Sequence, residues 1–211
     1  MMTIATAPMH DCSIALPGMH FTRSLNHAHA DVALAEGGVT VAGGAGSDYF
    51  NDPRGRLTRH SAPLLLAPID NRHPFTFSAR IVPQFHATYD AGALYLFASS
   101  DLWQKFAFER DEKAVSRIVS VRTVGSSDDN NHQAIPGPDA YLKMSSDTRV
   151  VGLYYSADGQ HWDLARLVEN NYPEALWIGI GAQSPVGQGS AATFDQLSLR
   201  LESVTDFRRG I

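Results

Sequence analysis

Cysteine is nearly absent: Cys12 stands alone in 211 residues. That excludes an intramolecular disulfide and any zinc site built from several thiolates. Nothing around Cys12 in the sequence would lower its pKa toward that of a nucleophile. Charge is sparse as well, at 18% of residues, and lysine plus arginine number 17 against 22 aspartate plus glutamate. With a net charge of −5 and scattered basic residues, no polyanion-binding surface is expected, so nucleic acid is not a partner. The longest apolar run, near Leu64, is only a few residues, so no membrane span is expected either. The N-terminal MMTIATAPMHDCSIALPGMHF lacks the basic and continuous apolar regions of a secretory signal, which makes the cytoplasm the expected compartment. Helical periodicity is also missing beyond windows of about a dozen residues. One short helical turn is expected, around Pro173–Leu176.

What is present is a period of two. Strands are expected at Val32–Glu36, Val39–Ala42, Ala62–Leu66, Phe75–Val82, Ala93–Ala98, Trp103–Glu109, Ser116–Thr123, Ala140–Ser145, Arg149–Ser156, Trp162–Val168, Trp177–Gln183 and Ala191–Leu201. Gly37-Gly38, Asp52-Pro53, Asp70-Asn71, Pro136-Gly137-Pro138 and Asp158-Gly159 are among the turns that separate them. Many short strands with turn signals mean a sandwich or barrel. Residues 31–211 read as one domain of this kind, preceded by a leader over 1–30 whose segment Ser13–Arg23 is expected to add an edge strand. The glycine-rich GGVTVAGGAGSDYF fits no phosphate-binding spacing, and no cofactor is expected.

The strand Trp103–Glu109 is the most informative segment. One face reads Trp103, Lys105, Ala107, Glu109 and the other Gln104, Phe106, Phe108. The phenylalanine face belongs to a core, together with Phe75, Phe77, Leu94, Leu96, Val119, Val121, Ile178 and Ile180. The other face joins an indole, an ammonium and a carboxylate, more than a solvated surface requires. On neighbouring strands the faces opposite the expected core carry Tyr95, Ser120, Arg122 and Gln183, with Gly179 and Gly181 leaving floor space. Tyr89 and Asp90 precede the Ala93 strand. The candidate ligand-binding set is therefore Tyr89, Asp90, Tyr95, Trp103, Lys105, Glu109, Ser120, Arg122 and Gln183.

Each member has a plainer reading. Asp90 precedes a glycine and can serve a turn by bonding its own backbone. Trp103 can be a core aromatic. Lys105 and Glu109 lie roughly 13 Å apart along the strand, so each pairs across strands, Glu109 with Arg122 and Lys105 with Asp90, in an ion-pair ladder. Asp128, Asp129, Asn130 and His132 have ligands suited to a hard cation, but the calcium-loop pattern is absent and no metal is expected.

In order, DYFNDPRG (48–55), SAPLLLAPI (61–69), FTFSARIVPQFHATYDAGALYLF (75–97), WQKFAFE (103–109), IVSVRTVGSSDD (118–129), YYSADGQHWDLARL (154–167) and IGIGAQSPVGQG (178–189) resemble one family. It is the domain-of-unknown-function 1349 family, also called the regulation-of-enolase protein family. The resemblance runs from about Asp48 to Leu201 and rests most on YDAG, W-x-K-x-x-x-E, SVxT and AQSPxGxG. It implies an all-β fold, a concanavalin-A-like jelly-roll sandwich of two antiparallel sheets, with a site on the concave face and no settled activity. Where similar proteins place a tryptophan after Asp128, this chain has Asp129 and then Asn130.

A saccharide suits such a face, stacking C–H surfaces on Trp103 or Tyr95 while its hydroxyls bond Lys105, Glu109, Arg122 and Gln183. The expected function is lectin-like binding of a small polar ligand. A second reading is a regulatory module that docks a protein partner through the same face or the 124–139 loop. A third is a glycoside hydrolase with Glu109 as acid/base. For that chemistry a retaining enzyme needs two carboxyl groups about 5–5.5 Å apart. The E-x-D-x-E pattern of glucanases of similar fold is broken here, because Glu109 and Asp111 are followed by Lys113.

Overall fold

Each segment of period-two alternation overlaps a strand, and the strands divide into two antiparallel sheets packed face to face. The computed structural model describes residues 8–30, 32–35 and 37–211. The first sheet has eight strands in the order β1 (His10–Leu16), β2 (Met19–Leu25), β7 (Leu64–Asp70), β16 (Ala175–Gln183), β9 (Ala91–Ser99), β10 (Leu102–Arg110), β11 (Ser116–Val124) and β12 (Ser126–Ala134). The second has seven: β15 (Asp163–Glu169), β14 (Val150–Ser156), β13 (Ala140–Ser146), β8 (Phe75–Pro83), β17 (Gly189–Arg200), β4 (Gly38–Gly44) and β3 (Val32–Ala35). A two-stranded ribbon, β5 (Tyr49–Asn51) and β6 (Thr58–His60), stands apart from both.

The leader residues 10–25 form a hairpin whose second strand pairs with β7, so they extend the first sheet and place Ile14, Met19 and Phe21 in the core. The turn expected at Pro173–Leu176 is not helical; Ala28–Ala30 is the one helical turn among the described residues. The 124–139 segment is largely strand rather than loop, because β12 pairs along β11 with a hydrophilic sequence that no alternation reveals.

Between the sheets, Phe75, Phe77, Leu94, Leu96, Phe106, Phe108, Ile178 and Ile180 are buried in one cluster. Val119 and Val121 are not part of it. Val121 lies opposite Lys105 and Val119 opposite Ala107, which puts both on the outer face of the first sheet. There a second apolar cluster gathers Tyr49, Leu64, Leu66, Tyr95, Phe97 and Trp103. Alternation on β11 separates the two faces without saying which is inward, and both carry buried side chains. Gly179 and Gly181 open no floor space either: a Cβ at Gly179 would collide with the Leu65 carbonyl, and one at Gly181 with Leu64. Glycine there serves the close packing of β16 on β7.

On the far side of the molecule the C-terminal tail covers the second sheet. Lys143 donates to the Gly210 carbonyl at 2.7 Å and sits 3.7 Å from the Trp162 ring centroid, and the Tyr154 hydroxyl donates to Phe207 O. The outer face of the first sheet carries a concavity. Phe106 is fully buried between the sheets. Phe106→Ala is expected to destabilise the fold by about 3–5 kcal/mol, from lost burial plus a cavity, read as a lower denaturation midpoint with an unchanged strand spectrum.

Candidate ligand pocket

The pocket exists because the β5–β6 ribbon folds over part of the outer face of the first sheet. Its Asp52-Pro53 turn is held by the Asp52 carboxylate, which accepts from the Arg54 and Arg56 backbone N–H groups. Tyr49 drives the docking: its ring meets Tyr95, Phe97 and Trp103 edge-on, with centroids 6.2, 5.8 and 5.9 Å away. Asn51 donates to the carbonyls of Ser100 and Gly125, fixing the other end of the ribbon.

Beneath the ribbon Trp103 is fully buried, and its indole N–H donates to Ser100 O at 3.0 Å. Tyr95 is buried beside it. Neither ring is accessible for stacking, so the expectation of an exposed aromatic platform is corrected: both support the ribbon. Sequence alternation assigns the face correctly for each but carries no sign of a ribbon laid across it.

The polar floor is a chain of four side chains. The Lys105 ammonium, almost wholly buried, donates to Asp48 Oδ1 at 3.1 Å, to the Tyr49 carbonyl at 3.0 Å and to Gln183 Oε1 at 2.7 Å. The Gln183 amide N–H₂ donates to the Tyr89 carbonyl at 3.0 Å and to Glu109 Oε2 at 3.2 Å. Lys105 thus pairs with Asp48 rather than Asp90, and three acceptors saturate it. Glu109 is paired with Gln183 rather than Arg122. Its cross-strand neighbour is Arg117, whose guanidinium is taken by Asp111 at 2.6 Å. Burial pushes the Glu109 carboxyl up to about 8, against the opposing pull of the Lys105 ammonium, so it carries a proton at neutral pH.

Asp90 is not in the pocket. Its carboxylate accepts from the His86 and Ala87 N–H groups at 2.8 and 2.7 Å and from the Ser184 hydroxyl at 2.7 Å, locking the loop that ends at Tyr89. Tyr89, at φ 67° in the left-handed region, is thrown outward onto the rim. Ser120 and Arg122 lie opposite Phe106 and Gln104, on the face that looks between the sheets, and this corrects their expected place. Tyr89, Lys105, Glu109 and Gln183 are therefore the members of the candidate set that line one cavity of about 370 Å³. They are joined by residues that sequence reasoning missed. Asp48, Phe50, Leu57 and Arg59 come from the ribbon, and Val119 and Val121 from the misassigned face of β11. Asp129 and Asn131 come from hydrophilic β12. A legible signal existed only for the ribbon, in the turn-forming DYFNDPRG. Arg59 Nη1 donates to Pro185 O at 2.6 Å, tying the ribbon to the loop that carries Val186 on the opposite rim. Among the described residues, no group of three His, Cys, Asp or Glu side chains is placed to hold a metal ion. No helix there is long and apolar enough to cross a membrane.

The model of the family described as "Protein of unknown function (DUF1349)" matches residues 26–201, and the chain belongs to that family. A functionally unknown protein from Saccharomyces cerevisiae is similar in structure, with a TM-score of 0.77 and 23% identity over 86% of this chain and 96% of that one. The GH43 BlXynB protein from Bacillus licheniformis aligns at a TM-score of 0.68 and 19% identity, over 90% of this chain and 38% of that chain. The metal-free lectin I-B4 from Griffonia simplicifolia aligns at 0.51 and 15% identity, covering 81% and 91%. At these identities the likeness is one of fold, a concanavalin-A-like jelly-roll sandwich. A search of curated proteins finds no match.

Removing the ammonium would strand the Asp48 carboxylate and two carbonyl acceptors in a largely buried site. Lys105→Met is expected to cost about 3–5 kcal/mol in an equilibrium unfolding experiment. Trp103→Ala should cost a similar amount through the cavity it leaves. The pH dependence follows from Glu109. The folded protein keeps a proton there that the unfolded chain, with a glutamate pKa of about 4.3, has released. Stability should therefore fall as pH rises from about 4.3 to about 8 and level off above. Glu109→Gln should flatten that slope, which denaturant titrations at about pH 5 and about pH 9 would measure.

Proposed function

We propose that this member of the DUF1349 family binds a small, uncharged, hydroxyl-rich ligand, a saccharide, in the pocket beneath the β5–β6 ribbon. The carrying observation is the pairing of a hydrogen-bonding floor with apolar walls in one cavity. Asp48, Glu109 and Gln183 offer acceptors and a carboxylic proton below, while Phe50, Leu57, Val119, Val121 and Val186 line the walls and rim. A sugar ring presents hydroxyls at its edge and C–H groups on its faces, and it meets both surfaces at once. The cavity volume lies in the range of roughly 300–1,000 Å³ usual for small-molecule sites.

Electrostatics narrow the class. Lys105 and Arg59, the cations of the lining, are committed to Asp48 and to the Pro185 carbonyl. Asp48, Glu112 and Asp129 face the same space, so acidic sugars are repelled and neutral ones admitted. The occurrence of this fold in a lectin and in GH43 glycoside hydrolase chains supports the class of ligand.

A second reading, hydrolysis of the bound saccharide, is favoured by the protonated state of Glu109, which suits a general acid. The two are separable. Titration of the protein with neutral mono- and oligosaccharides should show saturable binding. Val121→Trp, which fills the cavity from its wall, should weaken that binding at least tenfold while the protein still melts cooperatively. Glu109→Gln keeps the shape of the floor and should retain binding within about tenfold; any turnover of aryl glycosides by the wild type should fall by about 10²–10⁴ in that variant. Failure of every neutral saccharide to bind the wild type would remove the first reading and the second with it.

A further inference from the structure

Exposed apolar side chains collect at the mouth of the ribbon pocket. Among the described residues eight large hydrophobic side chains are exposed, and three of them, Leu57, Tyr89 and Val186, line this one cavity at 42, 38 and 61% exposure. A single exposed apolar residue is ordinary on a protein surface, whereas three around one opening form a patch. They come from three separate segments: Leu57 from the ribbon turn, Tyr89 from the loop before β9, and Val186 from the loop after β16. No alternation within one strand brings them together.

The three are held in place by their backbones. Leu57 closes the ribbon turn, its carbonyl accepting from the Asp52 N–H at 2.9 Å. Arg59, two residues further on, donates to the carbonyl of Pro185, the residue before Val186. Gly187, on the other side of Val186, packs so closely on the loop before β9 that a Cβ there would come within 2.9 Å of Ala87 Cβ. Tyr89 is pinned by its own N–H, which donates to Arg110 O at 2.6 Å, and by its carbonyl, which accepts from Gln183. Its φ of 67° is costly for a bulky side chain and persists because those bonds over-determine it. Ribbon, 184–189 loop and Tyr89 thus form one linked apolar arc. The rest of the rim, Glu112, Asp129 and Asn131, is polar and exposed.

A ligand that filled only the polar floor would leave this arc in water. The side chains of Leu57 and Val186 offer no hydrogen-bonding atom, and the Arg59 guanidinium is committed to Pro185 O. A polar group laid on the arc would lose its water without replacement. An apolar group gains burial there instead, and the Tyr89 ring offers a face to a planar one. We propose that the mouth is a second subsite, for an alkyl or aryl group carried on the anomeric oxygen of the saccharide, so that the ligand class is a glycoside with an apolar aglycone. The inference rests on the saccharide reading of the floor and deepens it.

The probes are methyl, phenyl and hexyl glycosides of glucose, galactose, xylose and arabinose, compared at the same sugar and anomeric configuration, with a disaccharide added to each set. They are titrated into the full chain with heat of binding as the readout. The phenyl or hexyl glycoside is expected to bind at least about tenfold tighter than its methyl counterpart. The double variant Leu57→Ser, Val186→Ser should bring that ratio to within about threefold of unity. The ratio decides, whatever the variant does to the methyl glycoside itself, and if the double variant does not fold, Val186→Ser alone takes its place. A methyl glycoside that binds, with phenyl and hexyl glycosides no tighter, would overturn this inference and leave the saccharide reading standing. Failure of every glycoside to bind would remove both. A gain that persisted undiminished in the serine variants would place the apolar group elsewhere and overturn the inference. A disaccharide that gained as much as the phenyl glycoside would do so too, because the mouth would then take a second sugar.

Discussion

The buried ammonium of Lys105 is the constraint on which the outer face of the first sheet depends. A charge taken out of water is tolerated only where ligands replace its hydration shell, and this one has three. Asp48 and the Tyr49 carbonyl come from the start of the ribbon, and Gln183 comes from the end of β16. The ion therefore fastens a short ribbon, too small to be stable alone, to strands distant from it in sequence. The Tyr49 ring supplies the apolar half of the same attachment. Burial of Trp103 and Tyr95, the position of Gln183 and the depth of the pocket all follow from that docking.

The architecture was legible because both sheets are built from strands that alternate strongly. In β8 every second residue from Phe75 to Ile81 is a core side chain, in β10 Phe106 and Phe108 alternate with the outer face, and no helical pattern competes. The pocket was legible only in part, for two physical reasons. Alternation defines two faces of a strand but not their direction when both are buried, which is why alternation alone turns β11 inside out, exchanging Val119 and Val121 for Ser120 and Arg122. Long-range covering elements also leave no periodic trace. The ribbon that buries Trp103, and β12 that brings Asp129 and Asn131 to the rim, are short or hydrophilic, and their place is set by pairing with strands already formed. Asp90 illustrates the converse. Its local reading, a carboxylate that holds a turn, needed only the following glycine, and the structure adds Ser184 as a tertiary partner.

Strands β10 and β11 run through the middle of the polar chemistry on both sides of the first sheet. Lys105 and Glu109 face the ribbon pocket while Gln104, one residue away, faces between the sheets; Val121 and Arg122 divide in the same manner. A shift of either strand along its partner by one residue would exchange the two sets, placing guanidinium in the pocket and valine between the sheets. The carboxylates of the outer face and the guanidinium groups of the inner one are thus kept apart by a single register.

Glu109 and Lys105 share one face but do not form an ion pair, and the reason lies in the order of the chain that links them. Gln183 stands between the two, its carbonyl turned to the ammonium and its amide to the carboxyl. Asp48 already neutralises the ammonium at 3.1 Å, so the attraction that Lys105 exerts on a Glu109 carboxylate is opposed by the repulsion from Asp48. With those two influences in opposition, desolvation is the largest effect and holds the carboxyl in its neutral form. A neutral Glu109 both donates and accepts a hydrogen bond, whereas a carboxylate only accepts. The pairing of Lys105 with Asp48, rather than with Glu109, is therefore what leaves the floor of the pocket with a group that both donates and accepts, and it does so without adding a further negative charge to a cavity whose rim already carries Glu112 and Asp129.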